Sequence, residues 1–550
     1  MSQTSATGTS STPAPQGPFG TANSYEKLPG EARPLGATQP DTLAVTAALA
    51  GLTTAPVARC RVLEIGCGVG GNLLPMAQAH PESTFVGIDL SPRQIAMANR
   101  VATGAGLKNI RFEVKDLTKL TAEFGTFDYV IAHGVFSWVE TAVRDRVLEM
   151  IAAVLSPQGV AYVNYCVYPG WHGREMFRQM AAAYAQTAAD PKGAAAIARE
   201  FIGLLSQHSQ GSGESMYGAQ VQQEAKFLAT VPDEYLVHEY LEANPQGIYF
   251  QQFVGQLANA KLQYVAEIKP NPARYRLMNE LVAAYPELSQ DPLKVEQYVD
   301  FIQGSFVRRS LLCHAGQAVS MMPRHQAVER LQMRAVAVPT VNQGDVRSDE
   351  VIGFRLPDGT TVNVADRHVK TVLIALAQSW PGAIGFEQML EVMRNSLGFG
   401  ERFAMPGSAD RDAIQRTILN CYGISMLDLH VSPPVIVPAP LDKPFATGLA
   451  RFQARDSKAV TNLLHNFVTR LSKTDRLVLA HLNGARDRAA LIAVMKAAIS
   501  KGVLPDPALD PAAASAEGLE LNIEGSVEKA LEKIAGDALL TLPVRPAAAR

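Results

Sequence analysis

The stretch Arg61–Gly71, RVLEIGCGVGG, restricts the possible folds more than any other part of the chain. A short apolar run with one acid, Val62-Leu63-Glu64-Ile65, leads into Gly66, Gly68, Gly70 and Gly71, and then into the helix-like NLLPMAQAH. Such a run, closed by glycines, predicts a buried parallel strand, a tight turn and a helix start. Glycines at alternate positions lack the Cβ atoms that disfavour positive φ and hold a ligand away from the backbone. An ordinary turn does not need so many, so this loop predicts a bound ligand.

Two ligand classes fit the loop. Gly66, Gly68 and Gly71 satisfy G-x-G-x-x-G, which admits a dinucleotide. A second strand, Thr84 to Asp89, ends in an acid. A carboxylate there accepts hydrogen bonds from both ribose hydroxyls, whether the ribose belongs to NAD or to S-adenosylmethionine. A third strand, Ile110 to Val114, leads to Lys115-Asp116-Leu117, where a second acid suits the exocyclic amine of adenine. The fourth, Phe127 to Ala132, runs into His133-Gly134-Val135-Phe136, and the fifth covers Val160 to Asn164. Between the second and third strands, Ser91-Pro92-Arg93-Gln94 reads as a capping box with proline at the first helical position. This alternation predicts a doubly wound, Rossmann-like α/β sheet with its ligand at the carboxyl ends of the strands.

The ordered set E-x-G-x-G-x-G, D, D and F-D-Y-V, over residues 60 to 165, resembles the class I S-adenosylmethionine-dependent methyltransferases. The resemblance implies a seven-stranded sheet and S-adenosyl-L-methionine as cofactor. It also implies contacts to that cofactor from Glu64, Gly66, Cys67, Gly68, Gly70, Asn72, Asp89, Leu90, Asp116, Leu117 and His133. A narrower likeness rests on HGVFSWV (133–139), YPGWH (168–172), YLEANPQGIYFQQF, LQYVAE, EQYVDF and RRSLLCH (within 240–314), and more faintly on LAHLNGARDRAAL (479–491). These stretches are similar to bacterial methyltransferases with an attached regulatory domain, a family that includes rickettsial protein lysine methyltransferases acting on an outer membrane protein. One departure lies near the front. The family tends to have a histidine before a proline there, and this chain has Gln39 before Pro40.

A chain of 550 residues exceeds one domain. Residues 1–23, rich in Ser, Thr, Pro and Gly, read as a disordered tail. Residues 24–180 hold the cofactor motifs, and 181–322 show helical periods, the "regulatory" unit of the resemblance. Residues 345–435 read as a winged-helix-like module, with VIGFRLPDGTTVNVA as a hairpin turning at Pro-Asp-Gly. Residues 445–550 read as a helical segment and tail. No cofactor motif lies beyond residue 350, so those modules are expected to be dispensable for cofactor binding. A formal charge of −2 without a basic cluster argues against a nucleic-acid partner. No apolar run is long enough to span a membrane. The five cysteines are scattered without C-x-x-C spacing, which predicts reduced thiols and no metal site. The front of the chain lacks a signal-peptide pattern, so a cytoplasmic location is expected. Oligomeric state is left open, a homodimer included.

A sulfonium methyl is already electrophilic, so its transfer needs an in-line nucleophile and a dry site rather than an acid–base triad. A lysine acceptor must first lose its proton from a reference pKa of about 10.4. Burial beside a cation lowers that value, and aromatic faces hold the amine. Tyr165, Tyr168 and Trp171, just past the fifth strand, are the candidates for this role; the competing reading packs them against the helical unit. His133 is a candidate base or a contact for the methionyl end. A protein lysine is the leading acceptor. A small molecule covered by the helical unit, and an adaptor that only binds cofactor, are the alternatives.

Overall fold

The computed structural model describes residues 25–30, 33–209, 215–242, 246–269, 271–341, 345–400, 403–504 and 516–543; the expected tail at 1–23 lies outside them. A seven-stranded sheet organises the chain, in the order β3-β2-β1-β4-β5-β7-β6. Five strands are parallel: β1 (Arg61–Ile65), β2 (Thr84–Asp89), β3 (Ile110–Val114), β4 (Phe127–Ala132) and β5 (Leu155–Cys166). β6 (Leu262–Glu267) and β7 (Val307–His314) complete it antiparallel, with β7 paired to β5 from Ala161 through Cys166. This is the expected Rossmann-like methyltransferase fold.

The two completing strands come from within 181–322, which the sequence pattern assigned to a helical unit. The sheet is therefore not contained in residues 24–180. The reason is local: LQYVAE and RRSLLCH are short and are flanked by long helices. Only the pairing of β7 with β5, and of β6 with β7, shows them to be strands.

Both faces of the sheet are covered, as near-continuous apolar strands require. Leu63, Ile65, Val130, Val163 and Tyr165 pack with the helices Thr141–Val154 and Phe250–Asn259 on one side. Val62, Phe85, Tyr129 and Tyr162 pack on the other, under the helices Pro40–Leu49, Leu73–Ala79 and Pro92–Ala105. A fully buried Val, Leu or Ile contributes about 1.5–3 kcal/mol. The helix Pro92–Ala105 starts where expected: Ser91 Oγ accepts from the Gln94 amide at 3.1 Å. The Gln94 side chain does not close the box. It accepts instead from the Gly30 amide at 3.3 Å and pins the N-terminal segment.

Beyond the sheet, the hairpin Ile352–Arg355 with Thr361–Val364 forms as read, and helices Arg367–Ser379, Phe386–Leu397 and Ala409–Gly423 follow. The last unit is built from Gly448–Asp456, the short hairpin Val460–Thr461 and Phe467–Val468, and helices Lys473–Ala480, Arg488–Ser500 and Ala516–Gly536. Both units dock on the methyltransferase part. Asp41 accepts from His430 at 2.7 Å and from the Val431 and Ser432 amides. No helix among the described residues is long and apolar enough to cross a membrane. All five cysteines are free and buried, and no group of metal-ligating side chains occurs among the described residues.

Candidate active site

The carboxyl ends of β1, β2 and β4 open into a cavity of about 490 Å³. Its floor is the glycine loop. Gly66 and Gly68 take φ of +69° and +53°, the left-handed region that glycine enters without cost. A Cβ on Gly66 would come within 2.8 Å of Val135. Glu64, Cys67 and Asn72 also line the floor. Gly70 does not: it faces Phe112 and Ala98, and its role is close helix–strand packing.

Asp89, at the end of β2, lines the cavity and holds the loop in shape. Its Oδ2 accepts from the Gly68 amide at 2.9 Å and its Oδ1 from the Ser91 amide at 2.9 Å. Burial raises its pKa against those hydrogen bonds. Leu90 lines the cavity while 55% exposed, an apolar surface suited to a flat ring. Leu117 lines it as well, but Asp116 does not. The Asp116 carboxylate caps the turn Leu117–Lys119 through the Thr118 amide and hydroxyl, at 2.9 and 2.7 Å, and pairs with Lys119. The acid expected at adenine is thus occupied by its own turn.

Glu64 is 4% exposed. One oxygen accepts from Asn72 Nδ2 at 2.7 Å, and the other is buried without a hydrogen-bond partner. Burial, offset in part by Asn72 and reinforced by the Asp89 charge, pushes its pKa up to about 8. A carboxylate with one free oxygen on the cavity floor fits the α-ammonium of an amino-acid cofactor. Asp89 and Leu90 fit its ribose and base. His133 also lines the cavity. Its Nδ1 lies 3.1 Å from the Tyr162 hydroxyl, and burial, with Arg309 nearby, lowers its pKa to about 4. Its imidazole is neutral at physiological pH.

The three aromatics assigned to the acceptor lie elsewhere. β5 runs to Cys166, two residues further than the pattern suggested, so Tyr165 is inside the strand. Its ring stacks on Phe253 at 3.9 Å and its hydroxyl meets Ser310 at 3.0 Å, fully buried. Tyr168 stacks on His172 at 3.8 Å and donates to Glu175 at 2.9 Å. Trp171 is 2% exposed and meets Trp138 edge-on. None of the three lines the cavity. Packing against the helical unit, the competing reading, describes them.

The wall opposite the glycine loop was missed. The helix Asp233–Tyr240 contributes Glu234, Tyr235, His238 and Glu239; the loop after β4 contributes Trp138; and the N-terminal segment contributes Tyr25. Tyr25 stacks on His238 at 3.9 Å, and Trp138 Nε1 donates to the His238 carbonyl at 3.1 Å. The signal available was DEYLVHEY itself, which packs three acids and two tyrosines into eight residues directly before LEANPQ.

Fold and cavity together define a class I S-adenosylmethionine-dependent methyltransferase. The methyltransferase domain family matches residues 62–159, the predicted methyltransferase regulatory domain matches 232–314, and the PKMT C-terminal winged helix domain matches 442–539. The winged-helix match therefore falls on the last unit, beyond the 345–435 segment for which the sequence pattern suggested one. Among curated proteins, the uncharacterized protein RP789 of Rickettsia prowazekii is 28% identical over 528 residues, 94% of each chain. RP028 of the same organism is 34% identical over 234 residues, 42% of this chain and 92% of that one. The solved structure of PKMT2 from Rickettsia typhi in complex with AdoHcy superposes with a TM-score of 0.76 at 24% identity, covering 93% of this chain and 100% of that chain. The chain belongs to the family of methyltransferases that carry an attached methyltransferase regulatory domain.

Asp89→Ala should weaken S-adenosylhomocysteine binding about ten- to a hundred-fold, the loss of charge-assisted hydrogen bonds worth roughly 1.5–3 kcal/mol. It should also lower the melting temperature, because the Gly68 and Ser91 amides lose their acceptor. Calorimetric titration at unchanged affinity would show Asp89 to be a loop brace alone.

Proposed function

We propose that this methyltransferase acts on an amine, the side chain of a protein lysine. The observation that carries the reading is the helical wall of the cavity, where Trp138 and Tyr235 stand with the carboxylates of Glu234 and Glu239. Aromatic faces and carboxylates together suit a cation. The family likeness to rickettsial protein lysine methyltransferases points the same way.

The bound cofactor supplies an electrophilic methyl group. Glu64, Asp89 and the Cβ-free face of the glycine loop would hold it. The acceptor must arrive as a neutral amine, and Glu239 is placed to take its proton. Burial, countered by Arg178 and His238, pushes the Glu239 pKa up to about 7, near the optimum for a base working at neutral pH. Tyr235 and Trp138 orient the amine and exclude water.

The test supplies the full-length protein with methyl-labelled S-adenosylmethionine and, in parallel, a protein extract and a metabolite fraction. Label recovered as methyllysine after acid hydrolysis is the expected result. Label in a small molecule would replace this reading with a metabolite methyltransferase. Binding without transfer to either would favour the adaptor.

Glu239→Gln should lower turnover about ten- to a hundred-fold, within the usual contribution of a positioned base, while cofactor affinity stays within about two-fold. Because the acid must be ionised to accept a proton, the wild-type rate should rise with pH through about 7. That limb should vanish in the variant. A profile that keeps it would assign the proton to another group.

A further inference from the structure

The C-terminal unit carries no cofactor motif, yet one of its side chains reaches the back of the glycine loop. His465, in the connection Asn462–Asn466 of the short hairpin, is 4% exposed, and its Nε2 lies 3.1 Å from Asn72 Oδ1. Asn72 is a junction. Its Nδ2 donates to Glu64 Oε1 at 2.7 Å and to Thr38 Oγ1 at 2.9 Å. The Glu64 acceptor fixes the amide with Nδ2 toward it, and Oδ1 accepts from the Leu35 amide at 2.9 Å and from Thr38 Oγ1 at 3.2 Å. An acceptor facing His465 requires a proton on Nε2. Burial holds this imidazole neutral, its pKa lowered to about 3, so it offers a single N–H.

We propose that His465 is a positioning residue for the cofactor: through Asn72 it sets the carboxylate of Glu64, a cavity-lining residue whose second oxygen has no partner in the protein and is left for the methionyl ammonium. The dispensability expected of everything beyond residue 350 then does not hold.

Two further observations support the link. His465 has φ of +59°, a conformation that costs a residue with a Cβ and persists where its surroundings fix it. The unit that carries it is docked at backbone distance. A Cβ on Gly448 would lie 2.2 Å from the Ala105 carbonyl oxygen, the Leu449 amide donates to Gln78 at 3.1 Å, and Leu449 is part of the sheet's own core. A shift of the C-terminal unit would be felt at Asn72.

The test compares two ligands on the full chain by calorimetric titration. S-adenosylhomocysteine has the amino-acid end; 5′-methylthioadenosine lacks it. His465→Asn tolerates the left-handed backbone but cannot reach Asn72. His465→Phe keeps a ring of similar size but has no donor. Both should bind S-adenosylhomocysteine about five- to twenty-fold more weakly and 5′-methylthioadenosine within about two-fold of wild type. Each removes a neutral hydrogen bond worth about 1–1.5 kcal/mol together with the order it imposes on Glu64. His465→Gln, which can still donate, should recover most of the loss. Equal weakening of both ligands would mean His465 only holds the fold, and unchanged binding of both would remove the link; either outcome overturns the proposal. No arm depends on the acceptor, so the result stands apart from the lysine reading.

Discussion

Arg308→Ala should destabilise the protein by about 3–5 kcal/mol, the usual consequence of removing one partner from a buried ion cluster. Arg308 is 2% exposed at the start of β7. It donates to Asp300 at 2.8 Å and Glu296 at 2.9 Å, and its guanidinium lies 3.8 Å from the centre of the Phe250 ring. Arg274 shares both carboxylates. Without Arg308, one arginine would face two buried acids, and Glu267 would lose its nearest cation. Burial pushes the Glu296 pKa up, but attraction to Arg308 and Arg274 outweighs it, and the net shift is downward. A carboxylate with a depressed folded-state pKa adds stability above its unfolded value of about 4.3, and that stability is lost as pH falls through the folded value. Denaturant titrations should therefore show the gap between wild type and variant narrowing as pH drops below about 4.3. A gap independent of pH would mean that lost packing on Phe250, not charge, sets the effect.

Glu64→Gln should move stability and binding in opposite directions. With a folded pKa near 8 against about 4.3 unfolded, the acid favours the folded state least when ionised. Stability of the ligand-free protein should fall as pH rises from about 4.3 toward 8, and glutamine removes that loss, a gain of roughly 2–4 kcal/mol at neutral pH. Glutamine keeps the acceptor for Asn72 but offers no charge to an ammonium. S-adenosylhomocysteine affinity should fall about ten- to a hundred-fold. Melting curves of the ligand-free variant between pH 5 and 8, beside titration with the cofactor product, test both signs. A variant that is less stable and binds normally would remove Glu64 from the site.

Which parts were legible follows from range. β1 to β5 and the glycine loop are written in consecutive residues, and apolar runs with turn signals between them suffice to read them. β6 and β7 are not, because their strand character depends on pairing across a long helical insertion. Tyr165 was misplaced by a short error in one strand end; Tyr168 and Trp171 follow the strand as expected but pack on His172 and Trp138. A strand two residues longer turns a loop side chain into a core one. Glu234, Tyr235 and Glu239 were hidden because an amphipathic helix reads the same whether its polar face meets water or a cavity. His465 could not be found at all: a lone histidine in a hairpin connection carries no sign of the amide it will meet.

The closing of β7 against β5 also sets a timetable. Tyr165 and Ser310, in contact in the finished sheet, are 145 residues apart. At roughly 5–20 residues per second, a ribosome delivers the second about 7–30 s after the first. For that interval β5 has an unpaired edge, the feature that invites the wrong partner. A circular permutant that translates residues 262–314 ahead of the glycine loop would end that wait, with β7 already present when β5 emerges.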